Sequence, residues 1–295
     1  MFDKFSQPIR GLWLTDFDGT IKPELAPVSP ADLRALADLK KRGWFRAVAT
    51  GRSLFSFARA WQPGLEFDAL IFSSGVGLCS WGPLGPGPLI SARVFTPREA
   101  RAAVGAALSL GLGFFAYQAP PDNHHFYYHR PRRAPLGFAR RLEIFPVQNQ
   151  AWSAGLFEGR RPPVLSQVMI MAPNEDIERV EADFRRLAPG LSLLRSSSPF
   201  GDGCIWLEIY PPGVSKGRAA AALAGRLGLP PSRTVAMGND YNDRDLLDWA
   251  GRAFISRQAP AELRSLYQTL PPAGQGSLAR AAELVFDGRN KAEAR

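Results

Sequence analysis

The sequence predicts an α/β protein in which a sheet of parallel strands, crossed by helices, is interrupted by a second domain of α+β character. Three observations carry this. Residues 12–73 alternate strand and helix patterns in the order strand, helix, strand, helix, strand, which predicts right-handed crossovers in one parallel sheet. The rhythm then breaks at residues 81–88, Trp-Gly-Pro-Leu-Gly-Pro-Gly-Pro, a stretch that reads as turn rather than strand or helix. It resumes at Val214-Ser215-Lys216-Gly217 and continues through helix, strand and helix to about residue 250. A chain of 295 residues has room for two domains. The expected division is a core of residues 1–82 and 209–295 around an insert of residues 83–208.

The elements follow from local chemistry. Leu12-Trp13-Leu14-Thr15 is an apolar strand that ends abruptly in Asp16-Phe17-Asp18-Gly19-Thr20. Ser29-Pro30-Ala31-Asp32 supplies an N-cap, a proline at the first helical position and an early acid. Leu33, Leu36, Ala37 and Leu39 then keep helical spacing up to Gly43. Trp44–Ala49 reads as the second strand, residues 53–61 as a helix, and Asp68–Ser73 as the third strand ending at Ser74-Gly75. In the insert, Thr96-Pro97-Arg98-Glu99 is a capping box for a helix to about Gly111. Phe114–Gln118 and an aromatic stretch around Phe126–Tyr128 follow, then a strand expected at Val168–Met171, a helix over residues 174–187 and the apolar strand Ile205–Tyr210, a mixture of α+β character. In the returning core, helices are expected over residues 219–227 and 242–250, with the strand Thr234–Met237 between them.

The composition, 45% hydrophobic and 21% charged, belongs to an ordinary globular chain. Met1–Gln7 carries no basic-then-apolar leader, and no apolar run approaches the ~20 residues of a membrane helix. Cys79 and Cys204 are too few for a disulfide framework. A cytoplasmic setting without a membrane partner is therefore expected. The net charge of +9 comes with arginine favoured over lysine and with no long basic run interleaved with aromatics, so no nucleic-acid partner is expected.

Four polar groups each follow a strand or open a helix: Asp16/Asp18, Thr50-Gly51-Arg52, Lys216, and Gly238-Asn239-Asp240-Tyr241-Asn242-Asp243. In one parallel sheet all four converge on the carboxyl edge, where open α/β sheets bind ligands. The Gly19-Thr20 turn bends the chain so that both aspartates reach one site. An oxygen-rich cluster of this kind suits Mg²⁺, which favours carboxylates, water and substrate phosphate. Together these features point to phosphate chemistry.

With these motifs in this order, and with the insert between the second and third, the chain resembles the haloacid dehalogenase superfamily, specifically its phosphatases with a type IIB cap. Leu207–Gly217 also looks like that subfamily's return from cap to core. The resemblance implies a Rossmann-like parallel-sheet core with an α+β cap domain, Mg²⁺ as cofactor, and a small phosphorylated metabolite, most readily a phosphosugar, as substrate. It implies that Asp16 is the nucleophile that forms an aspartyl-phosphate, and that Asp18 is the acid and base whose carbonyl joins the metal shell. Thr50, Gly51, Arg52, Ser74 and Asn242 would hold phosphate oxygens, and Lys216 would offset charge between phosphate and Asp16. The metal set would be Asp16, Asp18, Asn239 and Asp243.

Two departures stand out. The subfamily's G-D-x-x-N-D has Asn239 in place of its first aspartate, so either Asn239 offers an amide oxygen with less charge or Asp240 swings into that role. Ser74-Gly75 replaces the usual Asn-Gly. Two other readings stay open: phosphoryl transfer to another hydroxyl, as in a phosphomutase, and a non-catalytic regulatory or nucleic-acid-binding protein that keeps the fold.

Elsewhere the expectations are structural. Asp122–His129, which holds all three histidines, reads as a cap strand with a polar turn rather than a metal site, with contact to substrate left open as a further reading. Arg130, Arg132, Arg133, Arg140 and Arg141 read as a solvated face, Trp13 and Trp206 as core, and Gly201-Asp202-Gly203 as a turn.

Overall fold

The computed structural model describes residues 8–158 and 162–293, so the expectation drawn from Met1–Gln7 lies outside the described residues. Two compact units form. One comprises the described residues up to Arg52, Phe57–Ser91 and the chain from Ser215 onward; the other comprises Ser53–Ser56 and Ala92–Val214.

In the core unit, β1 (Gly11–Thr15), α1 (Pro30–Lys41), β2 (Trp44–Ala49), α2 (Leu54–Ala60, its first residues up to Ser56 counted with the other unit) and β3 (Ala69–Phe72) are followed by β4 (Gly77–Gly82) and β5 (Gly85–Ala92). Every residue of β1, β2 and β3 is buried, as expected of parallel strands covered on both faces. β4 runs antiparallel to β3 and is bonded to β5, so the turn expected over residues 81–88 narrows to Pro83-Leu84 and the rest is strand. Proline is admissible there because β5 is the sheet's edge. Pro86 and Pro88 lie two residues apart, so both missing N–H groups fall on the same side of the strand. Residues 85–91 thus belong to the core sheet, and the insert starts later than the expected residue 83. It also ends later than residue 208.

The inserted unit contains α3 (Pro97–Ser109), β6 (Phe114–Gln118), β7 (Phe126–His129), α4 (Leu136–Ile144), β8 (Asn149–Ala151), β9 (Leu165–Pro173), α5 (Ile177–Leu187), β10 (Ser192–Ser197) and β11 (Cys204–Tyr210). Its sheet order is β10-β11-β9-β6-β7-β8. On one face Ala103, Ala107, Val180 and Phe184 of α3 and α5 pack with Val168, Ile170, Leu207 and Ile209. On the other, Phe138 of α4 packs with Phe115, Phe126 and Met169. The ends of the unit are tied together, because Arg93 Nη2 donates to the Pro212 carbonyl at 3.0 Å.

Two of the histidines lie together, the His124 and His125 rings 4.3 Å apart. His124 and His125 precede β7, His124 stacks on Phe55 at 4.2 Å between ring centroids, and His129 stacks on Phe114. Trp13 is fully buried. Trp206 is partly buried and packs against the aromatic core of the inserted unit, as expected; its ring also lies 5.4 Å from the Arg141 guanidinium. Arg141 also lies over Tyr117 and Phe145, and Arg140 over Phe200, so these two arginines rest on aromatic surface.

The chain returns to the core sheet through α6 (Lys216–Arg226), β12 (Thr234–Gly238), α7 (Arg244–Trp249), β13 (Arg252–Ser256), α8 (Ala261–Arg264), β14 (Gln268–Leu270) and α9 (Ser277–Glu293). The core order is β14-β13-β12-β1-β2-β3-β4-β5, parallel from β14 through β3. β1 lies between β12 and β2, with Leu12 opposite Thr234 and Phe45. The carboxyl ends of β1, β2, β3 and β12 are thereby set side by side, which positions the site. Among the described residues no helix is long and apolar enough to cross a membrane.

Candidate active site

The chain leaves β1 through Asp16, whose N–H still bonds the Met237 carbonyl at 2.8 Å. It then folds into a turn in which the Phe17 carbonyl accepts from Ile21 and Lys22 at 3.1 and 2.9 Å. Gly19 has φ +72°, and a Cβ there would sit 2.4 Å from the Asn239 side-chain amide. The positive φ favours glycine, and a Cβ would displace the Asn239 amide. The turn brings Thr20 back to Asp16, and Thr20 Oγ1 donates to Asp16 Oδ2 at 3.0 Å.

Lys216 is the first residue of α6, after the N-cap Ser215. Its Nζ donates to Asp16 Oδ1 at 2.8 Å, Asp243 Oδ1 at 2.6 Å and Asn242 Oδ1 at 3.2 Å, so its three donors are satisfied. A lysine at a helix N-terminus opposes the helix dipole, and the two carboxylates offset this. Burial disfavours the Lys216 charge, but Asp16 and Asp243 outweigh it and hold the ammonium above the ordinary lysine range. Burial also pushes the Asp16 carboxyl up to about 7; Lys216 opposes that rise, while Asp243 and Asp18 add to it. Across their 2.8 Å contact the two effects on Asp16 are opposed, burial disfavouring its charged form and Lys216 favouring it.

Asp243 is fully buried and faces donors on both sides. Oδ1 takes Lys216, and Oδ2 takes the Asn239 and Asp240 N–H groups at 2.8 and 3.0 Å. In this arrangement it braces Lys216 and the loop after β12, which departs from its expected place among the metal ligands. The oxygens that converge are instead Asp16 Oδ2, the Asp18 carbonyl and Thr20 Oγ1. They lie 3.0, 3.1 and 3.2 Å from one terminal atom of the Asn239 amide.

Arg52 grips Asp18 bidentately, Nε to Oδ2 at 2.6 Å and Nη2 to Oδ1 at 2.7 Å. The expected phosphate-binding arginine is therefore engaged by the expected acid. Thr50 is buried and its Oγ1 accepts from the Arg52 N–H, while its carbonyl accepts from the Ser74 N–H at 2.9 Å. A Cβ on Gly51 would lie 3.6 Å from Ser74 Oγ and 3.8 Å from Asn242 Nδ2, so Thr50-Gly51, Ser74 and Asn242 are neighbours. Ser73 and Ser74 both take left-handed backbone, φ +46° and +53°, a strain that collects at functional sites.

Two residues outside the sequence-based set complete the site. Thr20 bonds the Asp16 carboxylate, and its spacing of four residues across a glycine turn was the available signal. Asp245 accepts the Gly217 N–H at 2.9 Å and so fixes the start of α6. Nothing in its own sequence context announces it.

Residues 13–269 match the family model for haloacid dehalogenase-like hydrolases. The chain belongs to that family. A putative phosphatase of Haemophilus influenzae is 22% identical to this hydrolase over 257 residues, which cover 85% of this chain and 88% of that one. An HMP-PP phosphatase of Cronobacter sakazakii is 38% identical over 71 residues, and there the match spans only 26% of the relative's length. Among solved structures, a phosphatase of the haloalkanoate dehalogenase superfamily from Bacteroides thetaiotaomicron superposes with TM-score 0.73 at 17% identity, covering 96% of this hydrolase and 97% of that chain. A subclass IIB sugar phosphatase gives TM-score 0.70 at 16% identity over 94% and 99%. At these identities the hydrolase shares their fold.

Proposed function

We propose that this hydrolase is a Mg²⁺-dependent phosphatase that cleaves the phosphomonoester of a small metabolite, a phosphosugar in the first instance, with Asp16 as nucleophile. The supporting observation is the clamp on Asp16: one carboxylate oxygen held by Lys216 and the other by Thr20, beside the Thr50, Ser74 and Asn242 donors. The relatives bearing phosphatase names and the sugar phosphatase of like fold favour the substrate class.

The chemistry divides into two halves. An Asp16 oxygen bonds phosphorus as the ester P–O bond breaks, and the Asp18 carboxyl gives its proton to the leaving oxygen. Asp18, now ionised, takes a proton from water, whose oxygen bonds phosphorus as the Asp16 O–P bond breaks. Phosphate and free Asp16 result. Lys216 holds positive charge beside the transferring group throughout. Arg52 orients Asp18 until phosphate oxygens compete for its guanidinium.

The residues fit a cation. A carboxylate oxygen, a backbone carbonyl and a side-chain amide are the oxygen-type donors a hard cation takes, and Asp16 Oδ2 and the Asp18 carbonyl lie 3.0 and 3.1 Å from the Asn239 amide. Asp16, the Asp18 carbonyl and Asn239 would hold it. When bound, Mg²⁺ would lower the Asp16 carboxyl and offset phosphate charge.

The test is phosphate release from phosphorylated sugars, nucleotides and an aryl phosphate, with Mg²⁺ or with chelator. Metal-dependent release that falls by about a thousandfold or more in Asp16→Asn, with an unchanged melting temperature, is expected. Undiminished turnover in that variant would remove Asp16 as nucleophile.

A further inference from the structure

An amide's nitrogen and oxygen are told apart by their partners. The Asn239 terminal atom that points into the site meets three oxygens, Asp16 Oδ2, the Asp18 carbonyl and Thr20 Oγ1. The one Thr20 proton can go to Asp16 Oδ2 at 3.0 Å or, when the amide oxygen points inward, to that oxygen at 3.2 Å, but not to both. Without a cation, only nitrogen there gives each oxygen a donor. With a cation, only oxygen there is a ligand. A half-turn of the amide exchanges the two.

We propose that Asn239 is a two-position gate on the metal site: its NH₂ stands in for the cation in the metal-free enzyme, and its oxygen turns inward when a divalent ion enters. This rests on the Mg²⁺ reading above. The consequence is coupling between metal and phosphate. The three metal-facing groups bring one formal negative charge, from Asp16, and that charge is already shared with Lys216. An entering ion must also break the amide's hydrogen bonds. Phosphate adds the missing negative charge, so each ligand tightens the other by the same factor.

Mn²⁺, which shares the oxygen preference of Mg²⁺, reports this by electron spin resonance of the free ion, with no turnover required. The wild-type enzyme should bind Mn²⁺ weakly alone and about tenfold or more tightly with inorganic phosphate present. Asn239→Asp, which restores a charge and removes the donor, should bind Mn²⁺ about tenfold or more tightly without phosphate and gain little from it. Equal affinities of the two proteins without phosphate, or no phosphate effect in the wild type, overturns the proposal. Should the variant not fold, the wild-type side-chain ¹⁵NH₂ resonance of Asn239 carries the test. Slow solvent exchange in chelator that is lost with Mg²⁺ and phosphate supports the gate, and a resonance unmoved by both overturns it. A protein that shows the coupling yet hydrolyses no phosphate ester would sink the phosphatase reading and leave the gate standing.

Discussion

At the level of single residues, the site is a set of groups that hold one another in place. Arg52 gives both nitrogens of one guanidinium edge to Asp18, a fork that an ammonium cannot reproduce. Arg52→Lys should therefore keep the charge and lose the orientation. Its kcat/KM is expected to fall by about tenfold, roughly 1.4 kcal/mol in the barrier, with the melting temperature nearly unchanged; wild-type kinetics in this variant would mean that the pair is incidental. Most of the site was legible because strand-end acids, a Thr-Gly-Arg and a Lys at a helix start are written in adjacent letters. The partnerships were not. Which of Asn239 and Asp240 faces Asp16, and that Asp243 spends both oxygens on donors, depends on the path of a loop after β12. Ser74 shows the same limit. Its left-handed backbone, which costs a residue with a Cβ about 1–2 kcal/mol, is not a preference its own side chain announces.

At the level of elements, α6 depends on a close approach. A Cβ on Gly217 would meet the Asp245 carbonyl at 2.6 Å, a backbone atom that cannot swing aside. Gly217→Ala should push the first turn of α6, and Lys216 with it, away from α7. Overpacking of this kind costs about 1–3 kcal/mol. Both the melting temperature and kcat should drop, and a variant equal to wild type in both would show that the helices can part freely. The elements read from the sequence were those with caps and regular spacing, such as Ser29 before α1 and the Thr96 capping box before α3. Three of those missed lacked both. β5 is written in prolines and glycines that are tolerated only because it lies at an edge, α4 begins after Pro135 with no side-chain cap, and β10 is a half-buried strand whose pairing with β11 is a long-range matter.

At the level of the whole molecule, each unit has its own apolar core. The inserted unit buries α3 and α5 on one sheet face and aromatics on the other, enough to expect independent folding. Residues 92–214 expressed alone should give a cooperative thermal transition and dispersed amide resonances. A chain without either would show that the insert needs the core to fold.

The bond from Arg93 to the Pro212 carbonyl matters for how the core closes. The β1–β12 pairing joins residues more than two hundred positions apart, a contact that is slow to form when a flexible chain must be searched. Once the insert is folded, with its ends fastened to each other, the core experiences it as a short tether, and the entropy of that long loop has already been spent inside a separate folding event. A lesion that loosens the insert's ends should therefore slow completion of a sheet to which they do not belong, read as a lower refolding rate.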